Sequence, residues 1–215
     1  MSLFQRRPQV GDTIQFYTLS QNKTVLIVGL GNPGKEYAGT RHNIGFMCID
    51  AFIQANKNEF EPWVIKKDLQ CHMTKATFGD AHAIVIKPAT FMNLSGDAVQ
   101  AVAHFYKIPA ERVVVVHDEL DIPFGQIRLR AGGGSAGHNG LKSIIGTIGE
   151  NFGRVRIGIG PKQPEQIDSA DFVLQKFAQT QQDHLHELTR EVNAILSEYA
   201  YGDGQLPQET RSFVV

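Results

Sequence analysis

The feature of this sequence that most limits its fold is the alternation of short, β-branched apolar runs with segments of helical periodicity. The apolar runs cover residues 25–28, 83–86, 113–116 and 155–159. Apolar side chains recur at helical spacing over residues 44–53, 99–106, 141–148 and 185–199. Strands that alternate with helices are typical of an α/β domain around a mostly parallel sheet. We therefore predict a single-domain, three-layer α/β/α fold with a mixed, mostly parallel, twisted sheet.

Local signals add detail at several element boundaries. Residues 71–88 are typical of two strands around a turn at 78–80, which gives the sheet an antiparallel edge. Residues 125–132 alternate apolar and polar side chains and predict a further short strand. Ser95 is a good N-cap for the second helix, and Thr180 begins a capping-box-like pattern before the last one.

The length of 215 residues fits one domain. We divide the chain into an N-terminal extension over 1–22, the α/β domain over 23–202 and a C-terminal tail over 203–215. The two cysteines, Cys48 and Cys71, have no metal-ligand spacing, so we expect reduced thiols. No apolar run approaches the roughly 18 residues of a membrane span, and the first residues lack the apolar core of a secretory signal. We expect a cytoplasmic protein without a membrane partner.

The formal net charge of −1 conceals a basic segment. Between residues 126 and 162 the chain carries six cations and one anion, Glu150. The cations are Arg128, Arg130, Lys142, Arg154, Arg156 and Lys162. Local clusters, rather than the total charge, determine where a phosphate backbone docks, although a cluster of this size is often just a solvated face.

The stretch VGLGNPG (28–34) has the glycine spacing of a dinucleotide-binding turn. Such a turn needs a helix that begins inside the motif, so that free N–H groups face the pyrophosphate. Here Gly39 interrupts any helix soon after the motif, and the helical pattern begins only near Asn43. The acidic residue expected about 20 positions on would be Asp50, which falls inside a helical pattern. We therefore reject dinucleotide binding.

Chemically active side chains follow the apolar runs, where the carboxyl ends of parallel strands meet at one sheet edge. They are Asn32, Tyr37, Arg41, His42 and Asn43, then Phe91, Met92 and Asn93, then His117, Asp118, Glu119 and Asp121, and, on a glycine-rich loop, His138 and Asn139. Ligands of open α/β sheets bind at this edge. An imidazole can act as a base near neutral pH, and a carboxylate on its second nitrogen fixes its tautomer. His42 and Asp118 can form such a pair.

Side-chain amides in the same cluster can position a water molecule, a peptide or a developing oxyanion. They belong to Asn32, Asn93 and Asn139, and the sequence does not divide these roles among them. His117 alternates to the opposite face of its strand from Asp118, so we expect it to be structural.

Four segments, in this order, resemble the bacterial peptidyl-tRNA hydrolases. They are VGLGNPGKEYAGTRHNIGF (28–46), KPATFMNLSG (87–96), VVHDELDIPFGQIRLRAGGGSAGHNGLKSI (115–144) and RVRIGIG (154–160). The resemblance extends more loosely to about residue 200. It implies a monomeric, cytoplasmic hydrolase without metal or cofactor, whose partner is peptidyl-tRNA. Such an enzyme cleaves the ester between a peptide and the terminal ribose of tRNA.

The resemblance also implies roles for individual residues. His42 would be the general base, Asp118 its partner, and Asn32 would select substrates whose amino group is blocked. The peptide and the tRNA 3′ end would be bound by Tyr37, Phe91, Met92, Asn93, His138 and Asn139. Within the basic segment, contacts with tRNA phosphates are expected from Arg130, Lys142 and Arg156.

Three other interpretations stay open from the sequence. The motif around Ser135 has the spacing of a serine-hydrolase nucleophile elbow, and Asp171 and His184 follow in the hydrolase order. Against it, three glycines precede the serine and residues 137–140 are expected to delay the helix. The carboxylates of DELD (118–121) could hold Mg²⁺, although no second carboxylate cluster supports this. A relative that keeps the fold could instead bind RNA without catalysis.

Overall fold

The computed structural model describes residues 23–79, 81–202 and 204–213. The predicted N-terminal extension and Asp80 of the predicted turn lie outside these residues. Within them lie the strands β1 (Thr24–Gly29), β2 (Val64–Lys66), β3 (Cys71–Phe78), β4 (Ala81–Pro88), β5 (Val113–Pro123), β6 (Gln126–Ala131), β7 (Gly153–Gly160) and β8 (Thr210–Ser212). The α-helices are α1 (Ile44–Ala55), α2 (Ser95–Phe105), α3 (Asn139–Ile148), α4 (Ser169–Leu174), α5 (Gln179–Gln182) and α6 (Leu185–Tyr201). None of the helices in these ranges is long and apolar enough to cross a membrane.

The strands form one sheet in the order β2-β3-β4-β1-β5-β7-β6-β8. The central strands β4, β1, β5 and β7 are parallel, and antiparallel strands flank them on both sides. α1 and α6 pack against one face of the sheet, and α2 and α3 pack against the other. The predicted three-layer α/β/α fold is confirmed. The predicted hairpin is β3–β4, and the short strand β2 lies outside it at the edge.

Two predicted helix starts are wrong. α2 begins at Ser95 itself, after a 3-10 turn at Met92–Leu94, so Ser95 does not cap it. The last long helix begins at Leu185, and Thr180 lies instead in the separate short helix α5. In both places the chain enters the long helix through an additional turn, which apolar spacing alone does not reveal.

The glycines of VGLGNPG serve packing. Only a 3-10 turn at Lys35–Tyr37 follows the motif, and α1 begins at Ile44, so no helix begins inside the motif as a dinucleotide turn requires. A Cβ on Gly29 would lie 2.7 Å from the Gly45 carbonyl oxygen, and one on Gly45 would collide with the Val116 carbonyl. The first turn of α1 therefore packs directly onto the ends of β1 and β5, and this contact places the preceding 3-10 turn, Arg41–Asn43, at the edge of the sheet.

Part of the predicted C-terminal tail belongs to the sheet. β8 pairs antiparallel with β6, and the Leu129 N–H donates to the Glu209 carbonyl at 2.8 Å. The Arg211 guanidinium in β8 contacts the Glu209 carboxylate and, on α6, those of Glu191 and Glu198. Backbone and side-chain contacts thus both attach β8 to the domain.

Candidate active site

A cavity of about 900 Å³ opens at the carboxyl ends of the parallel strands. The predicted site residues that line it are Asn32, His42, Phe91, Met92, Asn93, Asp118, His138 and Asn139. Tyr37 does not line it, but its ring meets Phe91 edge-on, with centroids 6.3 Å apart. Loops that follow different strands therefore converge here, as expected for an open α/β sheet.

Asp118, near the end of the buried part of β5, accepts hydrogen bonds from two imidazoles. His42 Nδ1 lies 2.9 Å from Asp118 Oδ1 and 3.1 Å from Oδ2, and His138 Nε2 lies 3.0 Å from Oδ1. Burial alone would raise the pKa of Asp118, but its electrostatic interactions and hydrogen bonds with His138 and His42 outweigh burial and hold the pKa well below its usual range. Asp118 is therefore an anion at neutral pH.

The first turn of α3 fixes the tautomer of His138. This residue is the N-cap of α3, and its Nδ1 accepts from the N–H of Gly140 at 3.1 Å and of Leu141 at 3.3 Å. Nδ1 is therefore unprotonated, and the protonated Nε2 donates to Asp118. The anionic Asp118 likewise requires a donor at His42 Nδ1, so neutral His42 keeps a free lone pair on Nε2. A cavity-lining imidazole with a free Nε2 can act as a general base.

Hydrogen bonds hold the Asn32 amide in one orientation. Its Oδ1 accepts from the Met92 N–H at 2.8 Å. The Asn32 backbone is paired with the Asn43 side chain, donating to Oδ1 at 2.8 Å and accepting from Nδ2 at 2.9 Å. Because Oδ1 is occupied, Nδ2 is the Asn32 group left to donate toward a ligand. Asn43, which the sequence analysis placed in the cluster without a role, orients Asn32.

One wall of the cavity was missed by the sequence analysis. It consists of Pro161, Lys162, Asp168, Ser169, Ala170, Val173 and Leu174, on and before α4. Arg41, next to His42, holds this segment in two ways. Its guanidinium stacks on Phe172, 4.1 Å from the ring centroid, and its backbone N–H donates to the Gln175 carbonyl at 2.9 Å. No local spacing indicates that a segment 131 residues later returns to Arg41.

The predicted phosphate-binding cations lie outside the cavity. In the pairing of β6 with β7, Arg130 opposes Arg154 and Arg128 opposes Arg156. Directly opposed residues of antiparallel strands share a face, so these four arginines lie on the same face of the sheet. Arg130 is exposed, and so is Lys142, which lies on α3 outside this sheet face.

Three of these arginines already have protein partners, and Arg128 donates to the Gln126 side chain at 3.4 Å. Arg156 is ion-paired with Glu119, with Nη2 3.0 Å from Oε2, and its Nε lies 3.1 Å from the same oxygen. Arg154 is buried, and its guanidinium donates to the carbonyls of Gly133 and Gly134. Arg154 therefore fixes the glycine-rich loop that leads to His138, and Glu119 orients Arg156.

The serine-elbow interpretation finds no support in the geometry. Ser135 is not among the cavity-lining residues, and within the described ranges its hydroxyl shares no hydrogen bond with an imidazole. His184 lies instead beside Glu187, at 4.0 Å. The helix that follows Ser135 is not delayed as expected, however, because α3 begins at Asn139.

His42, Asp118 and His138 have ligand atoms within 4.8 Å of one another, close enough to share a metal ion. The hydrogen-bond network uses the same atoms, however, because both imidazoles donate to the Asp118 carboxylate. An ion bound to these nitrogens would have to displace both protons. In the DELD segment, Glu119 is ion-paired with Arg156.

His117 is fully buried, and its Nδ1 donates to the Asp118 carbonyl at 2.7 Å. The pKa of His117 is lowered to about 3, mainly by burial and, to a smaller extent, by electrostatic repulsion from the nearby His138. An unfolded histidine has a pKa near 6.5, so the unfolded chain binds an additional proton between these values. We therefore expect His117 to lower the free energy of unfolding by up to about 1.4 kcal/mol per pH unit as the pH falls below about 6.5.

The test compares wild type with His117→Asn, whose amide can still donate to the Asp118 carbonyl. Urea unfolding at about pH 7 and pH 5 should show a smaller loss of stability in the variant. Equal losses in the two proteins would contradict a neutral buried His117.

The model of the peptidyl-tRNA hydrolase family matches residues 26–212. A peptidyl-tRNA hydrolase from Rickettsia bellii is 44% identical over 176 residues, which cover 80% of this chain and 93% of that protein. One from Frankia alni is 45% identical over 187 residues, which cover 86% and 92%.

Solved structures of peptidyl-tRNA hydrolases have a fold similar to that of this chain. A crystal structure of peptidyl-tRNA hydrolase from Acinetobacter baumannii is 35% identical, covers 83% of this chain and 93% of its own, and superposes with a TM-score of 0.67. A peptidyl-tRNA hydrolase crystallised with N-propanol gives a TM-score of 0.69 at 35% identity. Sequence and fold together show that this chain belongs to the peptidyl-tRNA hydrolase family, a family of hydrolytic enzymes.

Proposed function

We propose that this chain hydrolyses the ester bond between an N-blocked peptide, or N-acylaminoacyl group, and the 3′ ribose of tRNA, which releases tRNA from stalled translation. The observation that carries the proposal is the His42–Asp118–His138 group in the cavity, in which His42 Nδ1 is bonded to Asp118 and its Nε2 has no hydrogen bond among the described residues. Family membership supplies the substrate class.

In the proposed reaction, His42 Nε2 removes a proton from water as the water oxygen attacks the ester carbonyl carbon. The negative Asp118 carboxylate stabilises the imidazolium that forms, without taking its proton. As the tetrahedral intermediate collapses, the bond between the acyl carbon and the ribose oxygen breaks, and the imidazolium proton passes to that oxygen. General-base assistance of this kind typically contributes about 10²–10⁴-fold.

The negative charge that develops on the carbonyl oxygen needs hydrogen-bond donors. We assign Asn32 Nδ2 to the substrate carbonyl, because its Oδ1 is occupied by the Met92 N–H. The exposed amides of Asn93 and Asn139 on the cavity lining are left for the water molecule and the blocked amino group. This assignment makes Asn32 a donor to the acyl group and differs from the selection role implied by the resemblance.

The tRNA partner needs a cationic surface, and the arginine-bearing face of β6 and β7 supplies one. The phosphates of the tRNA would contact Arg130, Lys142 and Arg156. Tyr37 and Phe91 would bind the 3′ end of the tRNA at the cavity. The monomeric state and the cytoplasmic location stay predictions.

The experiment that tests this function measures release of the acyl group from N-acetylaminoacyl-tRNA by the wild-type chain in the presence of EDTA. Unblocked aminoacyl-tRNA serves as the matched control substrate. We expect cleavage of the blocked ester only. Loss of cleavage in EDTA would indicate a metal site at the histidine–aspartate group. Tight binding of tRNA without cleavage would instead show a non-catalytic RNA-binding protein.

A further inference from the structure

One antiparallel edge of the sheet, formed by β7, β6 and β8, has a covered face and an open face. Ile127 and Leu129 of β6 lie in the core beneath α6 and are 0% and 1% exposed. Side chains alternate along a strand, so Arg128 and Arg130 lie on the other face. On that side, the described core beneath α2 and α3 draws its strand residues from β1, β3, β4 and β5. The glycine-rich loop covers Arg154 of β7, and β6 and β8 lie beyond both the helices and this loop contact.

The register places side chains of β8 on the same open face. Thr210 pairs directly with Arg128, and Ser212 pairs with Gln126. Directly opposed residues of antiparallel strands project to the same side of the sheet. Thr210 and Ser212 are both exposed. Their hydroxyls therefore continue the row that begins with the arginines of β7 and β6.

The residue between these two hydroxyls confirms the orientation of β8. Arg211 opposes the buried Ile127 and reaches the carboxylates of Glu191 and Glu198 on α6, which is on the covered side. The contact with Glu198 is 2.8 Å and that with Glu191 is 3.2 Å. Arg211 thus attaches β8 from behind and leaves Thr210 and Ser212 facing outward.

The open face suits a polyanion in charge and in chemistry. Arg128, Arg130 and Arg156 share it, and the Glu119 carboxylate is engaged by Arg156. Arg154 shares the face but is buried, so it adds charge and no free donor. Guanidinium and hydroxyl groups are common donors to phosphate oxygens. Duplex RNA is recognised largely through its phosphates and shape, so an extended, sequence-independent row of donors fits an RNA stem.

We propose that β8 extends the RNA-binding face, so that the phosphate backbone of the tRNA substrate passes from Arg130 across Arg128 to Thr210 and Ser212. The inference rests on the proposed function, because the occupant is the body of the tRNA substrate. It adds Arg128 and a strand from the C-terminal end of the chain to the expected tRNA contacts.

The test changes the charge of β8 in both directions. The test variants are Thr210→Lys and Thr210→Glu. The matched controls are Gln54→Lys and Gln54→Glu, which make the same substitutions at an exposed site on α1, on the other side of the sheet. Dissociation constants for deacylated tRNA are measured by fluorescence anisotropy over a series of KCl concentrations. Hydrolysis is measured on N-acetylaminoacyl-tRNA and on the same ester attached to a short 3′-terminal oligonucleotide.

We expect Thr210→Lys to tighten tRNA binding about threefold and Thr210→Glu to weaken it by a similar factor. The dependence of log K on log[KCl] should change by up to about one unit. Rates on the short ester should equal those of wild type. The inference is overturned if the Thr210 variants behave like the Gln54 variants while wild type binds and cleaves tRNA normally. Failure of wild type to bind or cleave tRNA would overturn the proposed function, and this inference with it.

Discussion

Replacing His42 with glutamine is expected to lower kcat on a blocked aminoacyl-tRNA by about 10²–10⁴-fold and to leave tRNA binding nearly unchanged. Glutamine can still donate a hydrogen bond to Asp118, but an amide cannot take a proton from water. His42 is 9% exposed and does not lie on the arginine face, so the RNA contacts should persist. Single-turnover rates and tRNA dissociation constants separate the two effects.

His72→Gln is the matched control, because His72 is an exposed histidine on β3, away from the cavity. It should retain wild-type kcat. A rate for His42→Gln within about tenfold of wild type would remove His42 from the role of base. Ser135→Ala and covalent labelling of Ser135 by a fluorophosphonate would then decide whether the serine is the nucleophile.

The central strands were predictable because burial on both faces demands continuous β-branched runs, as at 113–116 in β5. The sequence was enough to reject dinucleotide binding by the glycine motif, because a dinucleotide turn needs a helix that begins inside the motif and this sequence does not provide one. The convergence of His42 and Asp118 also followed from topology, since His42 follows β1 and Asp118 lies in the neighbouring parallel strand β5. The expectation that Asp118 follows its strand was wrong, because β5 continues to Pro123.

The missed features depend on contacts between distant parts of the chain. β2 and β8 have three residues each and pair with a strand already in the sheet, so neither is long enough to show the alternation of a strand in the sequence. α4 is held against the cavity by the stacking of Arg41 on Phe172, which sequence spacing does not show. The positions of β2, β8 and α4 therefore depend on the distant segments that they contact, and not on their own sequences.

The sequence predicted which side chains come together at the cavity, but not how they are oriented. The sequence placed the Asn32 amide in the same cluster as His42 and Asp118. Only the hydrogen bond from the Met92 N–H to Asn32 Oδ1 shows that Nδ2 is the group left to donate to a ligand. His138 was an expected contact, and its role as the N-cap of α3 determines which nitrogen carries the proton. Tautomer and amide direction depend on backbone N–H groups, whose positions become known only with the fold.

Replacing Asp118 with asparagine is expected to reduce kcat by about 10²–10⁴-fold through the tautomer of His42. Both imidazoles donate to Oδ1, and only His42 Nδ1 also lies near Oδ2, at 3.1 Å. An asparagine that keeps its oxygen at the Oδ1 position for His138 places its NH₂ group at the Oδ2 position, against His42 Nδ1. His138 cannot turn its Nδ1 to that group without losing the hydrogen bonds from Gly140 and Leu141. The NH₂ group at the Oδ2 position favours a His42 that accepts at Nδ1 and carries its proton on Nε2, and that tautomer cannot act as the base.

¹⁵N chemical shifts of His42 measure this change directly, because protonated and unprotonated imidazole nitrogens resonate far apart. Nε2 should be unprotonated in wild type and protonated in Asp118→Asn, whereas Asp97→Asn, at an exposed carboxylate in α2, should match wild type in both shift and rate. An inactive Asp118→Asn with an unprotonated His42 Nε2 would show that the carboxylate acts by its charge alone.

The same substitution should change the acid stability of the fold. The folded pKa of Asp118 is depressed, so the carboxylate stabilises the folded chain above the unfolded pKa, near 3.9, and this stabilisation is lost as the pH falls toward the folded pKa. Asp118→Asn lacks the titrating group, so the difference in unfolding free energy between wild type and variant should be largest at neutral pH and should shrink below about pH 4. Together with the tautomer measurement, this result would tie catalysis and acid stability to the same buried carboxylate.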